Sequence, residues 1–153
     1  MKKIPKFRSA ARALEYAKKH GKLDAHGENL ISQNAYYSYD YAKNVIKGRF
    51  ELGEKAISQD AEFSYLYARD VIKGRFELGE KAISQNSCYS YDYAKDVIKG
   101  KLPEDWHNKM IMWAMEDDEY AKKYLEFINT NKETTLSWIN NLFINNIIRF
   151  NIF

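Results

Sequence analysis

The sequence predicts an all-α solenoid of αα-hairpin repeats with a period of 26 residues, capped by a helix at each end. Three observations predict it. The segment GRFELGEKAISQ occurs twice without a change, at 48–59 and 74–85. The stretches YAKNVIK, YARDVIK and YAKDVIK, at 41–47, 67–73 and 93–99, keep the same spacing. Start and stop signals recur in phase as well: Asn34, Asp60 and Asn86 before one helix, and Gly48, Gly74 and Gly100 after it. A fixed period of this length means that each unit is one supersecondary element whose apolar face must be covered by its neighbours.

Taken in order, the elements begin with an amino-terminal cap. SAARALEYAKKH at 9–20 reads as a lone second helix, with Ser9 as its cap and Gly21 as its stop. A degenerate first helix follows at 24–32, so that the cap and first unit span 9–33. The regular repeats occupy 34–100. In the middle copy, 50–58 and 61–73 are two helices split by Gln59 and Asp60. Ala35, Ser38, Tyr39, Ala42, Val45 and Ile46 fall at steps of three and four and give the second helix an apolar stripe, repeated in the next two copies. The aliphatic pair at its end is expected to supply most of the burial. Lys47, Lys73 and Lys99 stand in the last turn, where a cation suits the helix dipole, and the glycine after each is expected to be a left-handed cap. Gly53 lies inside a helix, recurs as Gly27 and Gly79, and costs about 1 kcal/mol against alanine, so a close helix contact is its expected reason.

A degenerate repeat covers 101–128: Pro103 starts a helix carrying Trp106, Met110 and Trp113, and EYAKKYLEFI at 119–128 echoes the second helix. At 133–153 a carboxyl-terminal capping helix is expected, with Leu136, Ile139, Phe143, Ile147 and Phe150 in one stripe. Its run LFINNIIRFNIF has apolar residues on more than one face, which self-association could cover. The whole chain, 1–153, is read as a single helical-repeat domain.

The repeated phrase Y-A-[KR]-[DN]-V-I-K-G-R-F-E, followed by G-E-K-A-I, resembles a short helical repeat that recurs in proteins of tailed bacteriophages and large DNA viruses. It matches well over 36–102 and loosely to 128, and does not reach the final helix. The resemblance implies a helical solenoid of viral or mobile-element origin and brings no catalytic residues with it.

Composition narrows the classes of function. Lys and Arg number 24 against 21 Asp and Glu, a formal net charge of +3, far from the basic excess of dedicated nucleic-acid binders. The single cysteine, Cys88, allows no intramolecular disulfide, and the start MKKIPKFRSAARALEY lacks the apolar core of a signal peptide, so the cytoplasm of a host cell is the expected location. No apolar stretch is long enough to span a membrane. There is no GxxxxGK[ST] loop, HExxH, GxSxG or GxGxxG, so no catalytic residue and no cofactor is assigned. His20, His26 and His107 lie in different units, and the run Glu116, Asp117, Asp118, Glu119 lacks the alternation of a calcium loop, so no metal site is assigned.

What remains is surface. Twelve tyrosines include the pairs Tyr37/Tyr41 and Tyr89/Tyr93, with Phe63/Tyr67 at the same phase between them. These rings either wedge between successive units or form a partner-binding face, to which Leu66 at a variable position would add. Lys47 with Arg49, Lys73 with Arg75, and Lys99 with Lys101 form a basic ladder that could track a phosphate backbone while tyrosines stack bases. The first expectation is a non-enzymatic module that binds a protein, including a host defence component blocked by occlusion. The alternative is single-stranded nucleic-acid binding.

Overall fold

Short acceptor side chains set most helix starts in the computed structural model, which describes residues 4–130. Ser9 opens α1 (Ala10–His20), Asp24 opens α2 (Ala25–Ser32) and Asn34 opens α3 (Ala35–Tyr41), each accepting from a backbone N–H three residues on. α4 (Glu51–Ile57) begins after Phe50, which has no capping oxygen. Asp60 opens α5 (Ala61–Tyr67), α6 (Glu77–Ile83) follows Phe76, and Asn86 opens α7 (Ser87–Tyr93). α8 (Glu104–Met115) follows Pro103, and α9 runs over 119–130 with the Asp118 carboxylate accepting from the Ala121 N–H. Every element among the described residues is helical. The expected helix at 133–153 lies outside them.

Residues up to Lys99 form one compact unit and those from Gly100 another. In the first, α1, α3, α5 and α7 touch in succession, as do α2, α4 and α6, and each helix of one row also packs on its chain neighbours in the other. The interior between the rows holds Ile31, Ile57 and Ile83 with Ala42, Ala68 and Ala94, all fully buried. Ser38, Ser64 and Ser90 are buried beside them and donate to the carbonyls of Ile31, Ile57 and Ile83, at 3.0, 2.8 and 3.1 Å. Each serine is a second donor to a helix-end carbonyl that also accepts from the backbone N–H three residues on. The interior glycine answers to the same contact. A Cβ on Gly53 would stand 2.6 Å from the Ser38 Cβ, and one on Gly79 2.6 Å from that of Ser64.

Two expectations about the second helix are corrected. Its last turn is not α-helical: Ala42–Ile46, Ala68–Ile72 and Ala94–Ile98 are π-turns closed by i→i+5 bonds. The wider turn carries the aliphatic pair off the core face, so Val45 and Ile46, with their equivalents, are only half-buried. The left-handed residue is also not the glycine. Lys47, Lys73 and Lys99 take it, with φ of 57, 57 and 58°, and Gly48, Gly74 and Gly100 have ordinary φ. The N–H groups of Lys47 and Gly48 converge on the Ala42 carbonyl, a closure that needs the turn at the lysine.

In the second unit Trp106 and Met110 of α8 and Ala121, Tyr124 and Ile128 of α9 are buried. Asp117, with φ of 76°, turns the chain between the two helices.

Candidate functional site

The structure divides the aromatic ladder in two. Tyr41, Tyr67 and Tyr93 are fully buried, which removes them from any partner-binding face. Each hydroxyl holds a helix start together. Tyr67 accepts from the Phe50 N–H at 2.8 Å and donates to Glu54 at 3.0 Å; Tyr93 does the same with Phe76 and Glu80, at 3.1 and 2.8 Å. Tyr41 bonds the Leu23 N–H and Glu28, at 3.0 and 2.9 Å. The amide served is that of Phe50 or Phe76 itself, the residue before the helix, and the tyrosine is the acceptor that this buried N–H needs. Burial pushes Tyr41 and Tyr67 up to about 12 and Tyr93 further still. In the second unit Tyr124 accepts from the Leu102 N–H at 3.2 Å, and His107 Nδ1, at 2.8 Å, stands where the other copies have a glutamate.

The other rings of the predicted face are half-buried wedges. Phe63 on α5 meets Tyr36 and Tyr39 of α3, each at 5.9 Å between centroids, and Tyr89 on α7 meets Tyr65 at 6.2 Å. Tyr37 packs on Tyr36, and Leu66 is half-buried. Asp40, at the same phase as Leu66 in the preceding copy, is buried and paired with Lys18 at 2.5 Å.

The basic ladder separates as well. Arg49 is bidentate on Glu54 at 2.8 and 2.9 Å, Arg75 on Glu80 at 2.8 and 2.7 Å, and Lys101 pairs with Glu104 at 2.8 Å. Lys47, Lys73 and Lys99 are exposed and form no ion pair among the described residues. They line two equivalent clefts between successive π-turns. One, of about 410 Å³, is bounded by Lys43, Lys47, Asp70, Val71 and Lys73; the other, of about 340 Å³, by Arg69, Lys73, Asp96, Val97 and Lys99. At the floor of the first, Asp70 accepts from Tyr39 at 2.6 Å, Lys43 at 2.7 Å and Arg69 at 2.6 Å. Chiefly through the Arg69 guanidinium, these donors hold the Asp70 carboxyl far below the usual carboxylate range. Asp96 accepts from Tyr65 at 2.6 Å, and burial first, then that carboxylate, pushes Tyr65 up to about 12.

Sequence reading missed one pair of surface residues. Leu52 and Leu78, at the same position of the identical segments, are 53% and 64% exposed on α4 and α6, more than an aliphatic side chain surrounded by charge requires. The signal was present: the phase gives His26 in the first copy, so no buried stripe calls for leucine there. Met112 and Met115 of α8 are exposed too.

Among the described residues, no three His, Cys, Asp or Glu side chains gather as a metal ion would need, and no helix is long and apolar enough to cross a membrane. No protein-family model, curated protein or solved structure matches the chain.

Proposed function

We propose that the chain is a helical solenoid with a period of 26 residues that acts without catalysis, by presenting repeated surface positions to a protein partner. One observation carries this reading: the buried Tyr67 and Tyr93 are engaged with Glu54 and Glu80 in holding helix starts, while Leu52 and Leu78 recur exposed at one register. Recurrent serine, tyrosine and glycine contacts support the solenoid, because equivalent residues at intervals of 26 make equivalent bonds. Two apolar anchors rimmed by Glu51, Lys55, Glu77 and Lys81 have the make-up of a small protein-binding patch, an apolar centre within a charged border. With the resemblance to phage and viral repeats, the reading extends to a host-cell cytoplasmic protein that blocks a defence component by occlusion.

The test is capture from lysate of the host cell with the native chain and with a Leu52→Ser, Leu78→Ser variant. Recovery of a stoichiometric protein by the native chain alone is the expected result; recovery of none, or equal recovery by both, counts against the reading.

A second reading, single-stranded nucleic acid, draws on the exposed Lys47, Lys73 and Lys99. It is weakened by the loss of Tyr41, Tyr67 and Tyr93 as stacking platforms and by the pairing of Arg49 and Arg75. A gel shift with a single-stranded oligonucleotide decides it, binding that falls steeply with salt being the positive result.

A further inference from the structure

We propose that the two clefts between successive π-turns are carboxylate-binding sites, and that the protein partner lays an acidic stretch along the edge they form, with Lys73 contributing to both. The inference rests on the protein-binding reading above and names the chemistry of the partner.

The first argument is the conformation of the lysines. A left-handed backbone costs an L-residue about 1 to 2 kcal/mol. Glycine or asparagine would fill the position more cheaply, yet lysine holds it three times, at Lys47, Lys73 and Lys99. All three line the clefts.

The second argument is charge. In the first cleft Lys43 is matched by Asp70, which leaves Lys47 and Lys73 uncompensated at its rim. In the second, Asp96 offsets one charge while Arg69 is drawn toward Asp70 and Tyr65, and Lys73 and Lys99 stand at the rim. Each cleft therefore offers two ammonium groups to one incoming anion, with an apolar wall at Val71 or Val97. Two such sites sharing Lys73 are matched by a chain carrying repeated carboxylates.

The third argument separates an acidic protein from nucleic acid. Asp70 and Asp96 repel either anion and do not discriminate, but the rings bonded to them do: Tyr39 and Tyr65 are buried with their hydroxyls on those carboxylates, so neither lies open for a base. An acidic peptide needs no stacking platform and leaves the Tyr–Asp bonds intact.

The experiment measures binding of fluorescently labelled poly-L-glutamate, and of an oligothymidylate of matched charge, to the full chain at low salt by anisotropy. The variants are Lys47→Gly, Lys73→Gly, Lys99→Gly and, as a control for charge alone, Lys22→Ala in the exposed stretch between α1 and α2. Glycine suits a φ near 57°, so the lysine variants should fold with a thermal midpoint at or above the native one, which is checked on the same samples. Loss of two contacts by Lys73→Gly is expected to weaken polyglutamate binding about tenfold, loss of one by Lys47→Gly or Lys99→Gly about threefold, and Lys22→Ala less than about twofold. No binding of polyglutamate, equal weakening by Lys73→Gly and Lys22→Ala, or tighter binding of the oligothymidylate each overturns the proposal. If a lysate partner depends on Leu52 and Leu78 while polyglutamate fails to bind, only this proposal falls.

Discussion

Removing one hydroxyl tests what holds the helix starts. Tyr67→Phe keeps the buried ring but leaves the Phe50 N–H without its acceptor at 2.8 Å and takes one donor from Glu54, which retains Arg49. A buried donor left unsatisfied costs about 1 to 3 kcal/mol, so urea unfolding should show a loss in that range. Tyr37→Phe removes a hydroxyl from a half-buried ring and should stay within about 0.5 kcal/mol. If the two variants unfold alike, the buried tyrosines are not the fasteners described. The role was partly legible. Tyr41, Tyr67 and Tyr93 each stand 13 residues after Glu28, Glu54 and Glu80, while the positions just before the tyrosines change freely among the copies. Helical stepping from Ala35 nonetheless puts these rings beside the apolar stripe, because stepping along one helix does not show that a glutamate and a helix start of the other row cover that flank.

At the scale of the element, the glycines separate into two kinds, of which the sequence reading is right about the first and wrong about the second. Gly79 sits where a Cβ would come within 2.6 Å of Ser64 and Phe76, so Gly79→Ala must move a buried helix contact and should cost about 1 to 3 kcal/mol despite alanine's better helix propensity. Gly74 has an ordinary φ and nothing within 4 Å of an added Cβ. Gly74→Ala should therefore stabilise by about 0.4 to 1 kcal/mol, by restricting the unfolded chain, where a left-handed glycine cap would have predicted the opposite sign. Thermal unfolding of both variants checks the pair. Helix starts were readable from sequence because an Asx side chain bonds its own backbone three residues on, a local interaction. Helix ends were not: the swap of the left-handed residue from glycine to lysine follows from i→i+5 closure, which no spacing rule for an α-helix anticipates.

For the molecule as a whole, the period was legible because repetition needs no knowledge of packing, whereas the outward-facing residues depend on how rows of helices meet. Leu52 illustrates this: its phase-mate His26 argues against a buried position, but only the packing of α4 shows that the side chain stands exposed. The same inward commitment of polar groups fixes the response to pH. Asp70 and Glu80 have lowered folded values, set for Asp70 chiefly by Arg69 and for Glu80 by the Arg75 and Tyr93 donors acting against burial. Their contribution is present above the unfolded carboxylate range near about 4 and is lost as pH falls through the folded values. Tyrosine runs the other way. Tyr41, Tyr65 and Tyr67 are held up to about 12 by burial, and Tyr93 higher, so the folded chain keeps protons that the unfolded chain releases near about 10. Stability is thus undiminished below about 10 and drains away as pH rises toward about 12. A spectrophotometric titration of phenolate should show two steps, the later one, from the buried Tyr41, Tyr65, Tyr67 and Tyr93, appearing only together with loss of helical circular dichroism. Addition of denaturant should merge the two steps into one. If the native chain already titrates in a single step near about 10, with its helices intact, then the tyrosine hydroxyls are open to water, and the helix starts are held by something other than the bonds described.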